Sequence, residues 1–304
     1  DEPKDPETPH FIPAYSQKVK ASKEFQTFQF DHSFVLNSLK SSMEGYVFHN
    51  QPLDTDDLLE QTVKLFNSCK TSLELFDMLH NMRAYDDSTH AHSLNVALIC
   101  RRIGKWLKVD AATLDTLTLC GLLHDIGKLK IPDEILNKPG KYTDEEFDLV
   151  KRHTKFGYEL LKPLNIDPHI KKAALLHHER CDGSGYPLKA TQKDLDDFSM
   201  VVAIADVYDA MTAARSYRAP LCPFQVIERF EQEGLQKYKP KFILTFLQHI
   251  ASTYQNNRVL LSNGQSANIV MLNQQHLARP IVQLNDNSCI DLSTRLDLHI
   301  QSIL

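Results

Sequence analysis

Seven residues have the types and spacing to hold metal ions: His92, His124, Asp125, His153, His177, His178 and Asp206. Each lies in a stretch whose apolar residues recur at helical spacing, as Val96, Ile99 and Ile103 do after His92. An imidazole or carboxylate on such a face is costly to bury unless something pairs with it. Taken singly, each histidine is better read as a core residue bonded to a carbonyl, and Asp206 as a cap or a partner of Arg215. Taken together they would need separate satisfaction in one core, whereas a metal cluster answers all of them at once. Five imidazoles and two carboxylates with no thiolate among them suit Fe, Mn, Co, Ni or Zn. Seven donors exceed what one ion with open positions uses, so the expectation is two divalent ions, with Asp125 as the bridge.

Adjacent donors such as His124 and Asp125, or His177 and His178, point about 100° apart on a helix and so can reach two ions. Lys128 returns to the face of His124 and Asp125 if the helix persists through Gly127. It would then aim its ammonium at a phosphate beside the metals, which pairs it with Asp125 as a catalytic candidate; alone it would be a solvated surface lysine. The run His177-His178-Glu179-Arg180-Cys181-Asp182-Gly183-Ser184-Gly185-Tyr186-Pro187 breaks a ligand-bearing helix into a loop. Its glycines permit close backbone approach, so the loop can fold back over the metals.

The elements that must position these groups are helices. One runs from about Ser88 to Leu107, with His92 one turn before Val96. Leu114, Leu117 and Gly121 form an inward face that leads to His124. Thr143 and Glu146 make a capping box, opening a helix that carries Phe147, Val150, His153, Gly157 and Leu160 on one side. Asp167 and Pro168 start the helix that reaches His177, and a further helix from Asp197 aligns Val202, Asp206 and Ala210. After Pro240 a last helix ends near Gln255. Short apolar runs then alternate with Asn263-Gly264 and Asn285-Asp286-Asn287, which predicts a small β appendage. The expected architecture is mainly α, with a linker over 1–20, an N-terminal helical segment over 21–85, a catalytic domain over 86–255 and the β-rich appendage over 256–304.

The motifs around these residues resemble those of the HD-GYP domains, a bacterial branch of the HD metal-dependent phosphohydrolases. The resemblance runs from about Asp86 to Phe246 and rests on HSLNVA at His92, LLHDIGKLKIPDEILNKPG from Leu122, His153 with Gly157, HHERCDGSGYP from His177, and IADVYDAMTAARSYR from Ile204. It implies an HD-type helical bundle and a metal-dependent phosphodiesterase acting on a cyclic dinucleotide, chiefly cyclic di-GMP, in bacterial cytoplasmic signalling. It implies metal ligands at the seven positions already grouped, with iron or manganese foremost. It also implies phosphate or ribose contacts for Lys128, Asp182, Tyr186, Asp209, Arg215 and Arg218. Some members place a glutamate one turn before the first histidine to hold a third metal. Ser88 stands there, which favours a binuclear site and a linear dinucleotide product. The alternatives are 3′,3′ cyclic GMP-AMP as substrate, or a receptor module with little turnover. Diguanylate cyclase domains docking at the Gly183–Pro187 loop, and a second copy of the chain, are the expected macromolecular partners.

Composition sets the outer bounds. With 304 residues, 42% hydrophobic and 24% charged, the chain is of ordinary globular type. A net charge of −5 supplies no diffuse basic field for duplex nucleic acid, so an anionic ligand must be captured locally. No apolar run approaches the ~18 residues of a membrane span. Six cysteines without a CxxC pair read as reduced thiols. Of the 14 histidines, His90 points away from His92 on a helix, and His169, His249, His276 and His299 have no motif around them, so these five are read as structural. Asp1 is not a methionine, so the expectation is that the natural chain begins further upstream.

Overall fold

Capping residues set where the N-terminal helices begin. The computed structural model describes residues 15–82, 88–213 and 221–304. Helix α1 (Tyr15–Ala21) is short, and the Ser22 hydroxyl then caps α2 (Lys23–His49) by accepting from the Phe25 N–H. Asp54 caps α3 (Thr55–Ser68) in the same way, and α4 (Ser72–Met82) follows. The stretch expected to be linker up to residue 20 is thus helical from Tyr15. The reason is tertiary: Tyr15 donates to Asp77, and the Ser16 hydroxyl donates to Asn81 at 2.6 Å, both acceptors lying on α4.

Helix α5 (Thr89–Trp106) is capped by Ser88 and α6 (Ala111–Leu123) by Asp110. The two approach closely because Gly121 lacks a side chain; a Cβ there would lie 2.7 Å from the Ala97 Cα. A 3-10 turn (Ile126–Lys130) then leads into α7 (Asp133–Leu136), α8 (Asp144–Lys151), α9 (His153–Leu161) and α10 (Pro168–Leu176). The Thr143–Glu146 capping box forms with both reciprocal bonds. The one face expected to carry Phe147, Val150, His153, Gly157 and Leu160 is split, because the chain breaks at Arg152 between α8 and α9. Phe147 is left 45% exposed while His153 is buried.

Helix α11 (Asp197–Thr212) is buried along most of its length, and α12 (Pro223–Glu233) and α13 (Pro240–Thr253) pack beside it. Phe25 and Leu39 of α2, Phe66 of α3, Leu94 and Ile99 of α5, Ile204 of α11 and Phe246 of α13 belong to one contiguous core. The N-terminal helices therefore share the interior that holds the ligand-bearing helices, each fully buried large side chain contributing ~1.5–3 kcal/mol. Among the described residues no helix is long and apolar enough to cross a membrane.

The C-terminal segment forms β1 (Arg258–Leu261), β2 (Ser266–Met271), β3 (Ile281–Leu284), β4 (Cys289–Asp291) and β5 (Ile300–Ile303). The sheet order is β4-β3-β2-β1-β5 and every neighbouring pair is antiparallel. Strand β5, absent from the sequence reading, closes the sheet by pairing Val259 with Ile303. Val259, Leu261, Ile269 and Val282 face the common core. Polar contacts fasten the sheet to α12, where Arg279 reaches Glu228 at 2.7 Å and Glu231 accepts from the Leu277 N–H.

Candidate metal centre

Helix ends aim three of the imidazoles. The last carbonyls of an α-helix lack intrahelical partners. His124, just past α6, sets Nδ1 2.7 Å from the Gly121 carbonyl; His177, just past α10, sets Nδ1 2.9 Å from that of Ala173. His153, beyond the end of α8, sets Nδ1 2.6 Å from the Val150 carbonyl. Donation from Nδ1–H leaves Nε2 of each ring with its lone pair, and all three Nε2 atoms turn towards one carboxylate. They lie 3.3, 3.7 and 3.3 Å from Asp125 oxygens for His124, His177 and His153 respectively.

Two groups of donors result, and Asp125 belongs to both. Asp125, His153, His177 and His178 offer one set of ligand atoms within 4.8 Å of one another, and His92, His124 and Asp125 offer a second. Asp206 stands between them, with one oxygen 3.0 Å from His92 Nε2 and the other 3.8 Å from His178 Nδ1. All seven residues grouped from the sequence therefore converge. Lys128 joins them by a different route from the one expected: α6 stops at Leu123, and the tighter 3-10 turn brings the ammonium to Asp125 at 2.5 Å.

The electrostatics suit a bound cation. Burial would raise the Asp125 carboxyl, but His124 and Lys128 hold it well below the usual carboxylate range. Burial drives His177 and His178 far down, and His153 to about 4, so these rings keep their lone pairs. Burial also lowers His92, yet hydrogen bonds to Asp206 and Asp209 overcome it and lift that ring to about 9. His124 Nε2 and Asp125 Oδ1 are buried without a hydrogen-bond partner. Orphaned donors of this kind, in a nitrogen and oxygen set free of sulfur, fit a borderline divalent ion, and the chain has a divalent-metal-binding His/Asp cluster.

These shifts carry a sign. His153 binds a proton near 6.5 when unfolded but only near 4 when folded, so acidification through that window favours the unfolded chain. His92 acts in the opposite sense; its contribution is complete below 6.5 and disappears as pH rises through about 9. The melting temperature of the EDTA-treated chain should therefore fall on both sides of a maximum between these limits. A flat profile from pH 6.5 to 4 would contradict the burial of neutral His153.

Asp209, expected at phosphate or ribose, faces His92. It is buried, and its carboxylate takes the His92 Nδ1 at 2.7 Å, which orients that ring as the helix-end carbonyls orient the others. Asp209→Asn is expected to weaken metal retention ~10–100-fold, read by competition with a chelator. Asp182, also expected at phosphate or ribose, is exposed, and its carboxylate accepts from the Ser184 N–H and hydroxyl within its own loop. Arg215 and Arg218 lie outside the described residues.

The loop after His178 does fold back. A Cβ at Gly185 would lie 2.4 Å from the Glu179 Cα and 2.5 Å from the His178 carbonyl oxygen, so only glycine fits. Glu179, which the sequence reading passed over, is fully buried and ties the loop down by accepting from the Leu188 and Ala190 N–H groups at 2.5 and 3.0 Å. Its position inside the HHE triplet was the available signal. Tyr186 then stacks on His178 with centroids 4.6 Å apart and meets Phe147 edge-on. Burial keeps the Tyr186 hydroxyl protonated. These rings wall a cleft of about 940 Å³ that opens above His153 and His178 and is also lined by Lys128, Lys138, Lys141 and Tyr142. Of those four, sequence reasoning had named only Lys128, because the others sit on the irregular segment before α8, where periodicity is silent.

Known proteins resemble this chain in sequence and in fold. The HD domain family model matches residues 57–242. A cyclic di-GMP phosphodiesterase of Thermotoga maritima is 36% identical over 178 residues, covering 58% of this chain and 48% of that protein. A 3′3′-cGAMP-specific phosphodiesterase of Vibrio cholerae is 34% identical over 183 residues, 59% of this chain and 35% of its own. A cyclic di-GMP phosphodiesterase of Pseudomonas aeruginosa is 32% identical over 207 residues, 68% of this chain and 50% of its own. The chain thus spans half or less of the length of these curated relatives. Among solved structures, an HDG"Y"P protein from Bdellovibrio bacteriovorus shares the fold with a TM-score of 0.53 at 18% identity, over 77% of this chain and 74% of that one.

Proposed function

Since this chain belongs to the HD domain family, in its HD-GYP branch, we propose that it hydrolyses a cyclic dinucleotide, cyclic di-GMP foremost, to the linear dinucleotide. The observation that carries the proposal is the Asp125 carboxylate, shared by two donor groups, one of which reaches a cleft of about 940 Å³ through His153 and His178. Sharing of that kind supports a binuclear site, in which His92 and His124 would hold one ion, His153, His177 and His178 the other, and Asp125 and Asp206 would contribute carboxylate oxygens. Two divalent ions, iron or manganese by the donor chemistry, supply Lewis acidity and a water of lowered pKa.

The remaining work falls to the chain. Lys128 offers its ammonium to a phosphate oxygen beside Asp125 and offsets charge as the P–O bond breaks. Lys141 adds positive charge along the cleft, which helps an acidic protein attract a dianion, whereas the Lys138 ammonium is paired with Glu146 at 2.6 Å. Tyr186 and Phe147 present ring surface on which a base can stack, and the Tyr186 hydroxyl remains a donor. Asp209 holds the His92 ring in the tautomer that ligation requires. Ser88 caps α5 by accepting from the Ala91 N–H, a structural duty that supports two ions over three.

The test is anaerobic reconstitution with Fe or Mn, metal quantification, and chromatography after incubation with cyclic di-GMP and with 3′,3′ cyclic GMP-AMP in parallel. Linear dinucleotide from the first is the expected result. Faster turnover of the second would reassign the substrate, an arm warranted by the Vibrio cholerae relative. Unchanged ligand in both, with metal loaded, would leave a receptor and end the hydrolase reading.

A further inference from the structure

A second cavity lies away from the metal centre, between α1, α4, the end of α11 and β5, and has a volume of about 250 Å³. Its apolar wall is aromatic, formed by Phe76, Tyr208 and Tyr254, each no more than 3% exposed. Asp77 brings a carboxylate to this wall, with the Tyr15 hydroxyl as its hydrogen-bond donor. No lysine or arginine is among the described residues that line the cavity. Among the described residues Tyr15 is the one side-chain donor to this carboxylate and it is neutral, which leaves the charge electrostatically under-compensated. Burial pushes its carboxyl up to about 6, only partly offset by Tyr15, so at neutral pH the charge is present and costly.

We propose that this cavity binds a small organic cation, its ammonium paired with Asp77 and its hydrocarbon part packed among Phe76, Tyr208 and Tyr254. Three features favour a cation over a neutral or anionic occupant. Among the described lining residues Asp77 is the one carboxylate and His80 the one imidazole, with no lysine or arginine; the walls are aromatic and favour cations through their ring quadrupoles, and the volume suits a molecule of few heavy atoms. Tyr208 is the immediate neighbour of Asp209 on α11, so the occupant would abut the helix that also brings Asp206 to the metal centre.

The probe is n-butylammonium chloride, titrated into the full chain against butan-1-ol and against NaCl at matched ionic strength. A saturable rise in melting temperature with butylammonium, absent with the alcohol and the salt, is expected. Asp77→Asn should weaken the interaction about tenfold or more while leaving metal content unchanged. Equal stabilisation by butan-1-ol, or undiminished binding to Asp77→Asn, would overturn the proposal. Should that variant fail to fold, intermolecular NOEs on the unsubstituted chain decide the question. Contacts between butylammonium methylenes and the Tyr208 and Tyr254 rings support the site, and their absence removes it.

Discussion

Asp125→Asn is expected to abolish retention of divalent metal and to lower cyclic dinucleotide hydrolysis by at least about a thousandfold. Asp125 is the one residue common to both donor groups, so its loss weakens both halves of the site at once. A substitution at His92 or His178 touches only one. The carboxylate is 1% exposed and surrounded by Nε2 atoms of His124, His153 and His177 and by the Lys128 ammonium. A neutral amide of the same shape leaves this ring of donors without its anion. Metal analysis of the purified variant, together with product chromatography, checks the prediction. Full occupancy with full turnover would show that Asp125 is a bystander and would remove the binuclear scheme.

Gly127→Ala should be the most damaging change among residues that bind nothing. A Cβ there would lie 1.9 Å from the His153 carbonyl oxygen and 2.4 Å from the Gly157 amide nitrogen. Both are backbone atoms and cannot rotate aside, so the 3-10 turn and α9 must separate. The expected cost is about 3 kcal/mol or more, at the upper end for overpacking. It falls on the junction that sets Lys128 against Asp125 and His153 against both. Metal retention should therefore decline along with the melting temperature. Gly157→Ala is the matched control, because its Cβ would find nothing nearer than 3.4 Å. Equal melting temperatures for the two variants would mean that the close approach at Gly127 is not a constraint.

Much of the molecule was legible because its information is local. The Thr143–Glu146 capping box, the Asp167-Pro168 start and the apolar spacing around Val96 and Ile204 depend on neighbours within a turn or two, which periodicity reports directly. The same holds for the break after Leu284, where Asn285 to Asn287 punctuate the strands. Strand β5 was missed because it comes at the chain end after a polar stretch, and pairing with β1 decides it. Helix α1 was missed because its stability comes from contacts with α4 across sixty-odd residues.

Sequence alone grouped the seven histidines and aspartates that the fold brings together, since an assembly of imidazoles and carboxylates on apolar helix faces has few other ways to be satisfied. Tertiary structure decided what the residues around that group do. It turned Asp209 towards His92, gave Glu179 the task of closing the loop over His178, and brought Lys128 back through a 3-10 turn in place of an α-helix. The division has one physical cause: spacing along a chain tells which face a side chain is on, but only the packing of separate helices tells which atom it meets.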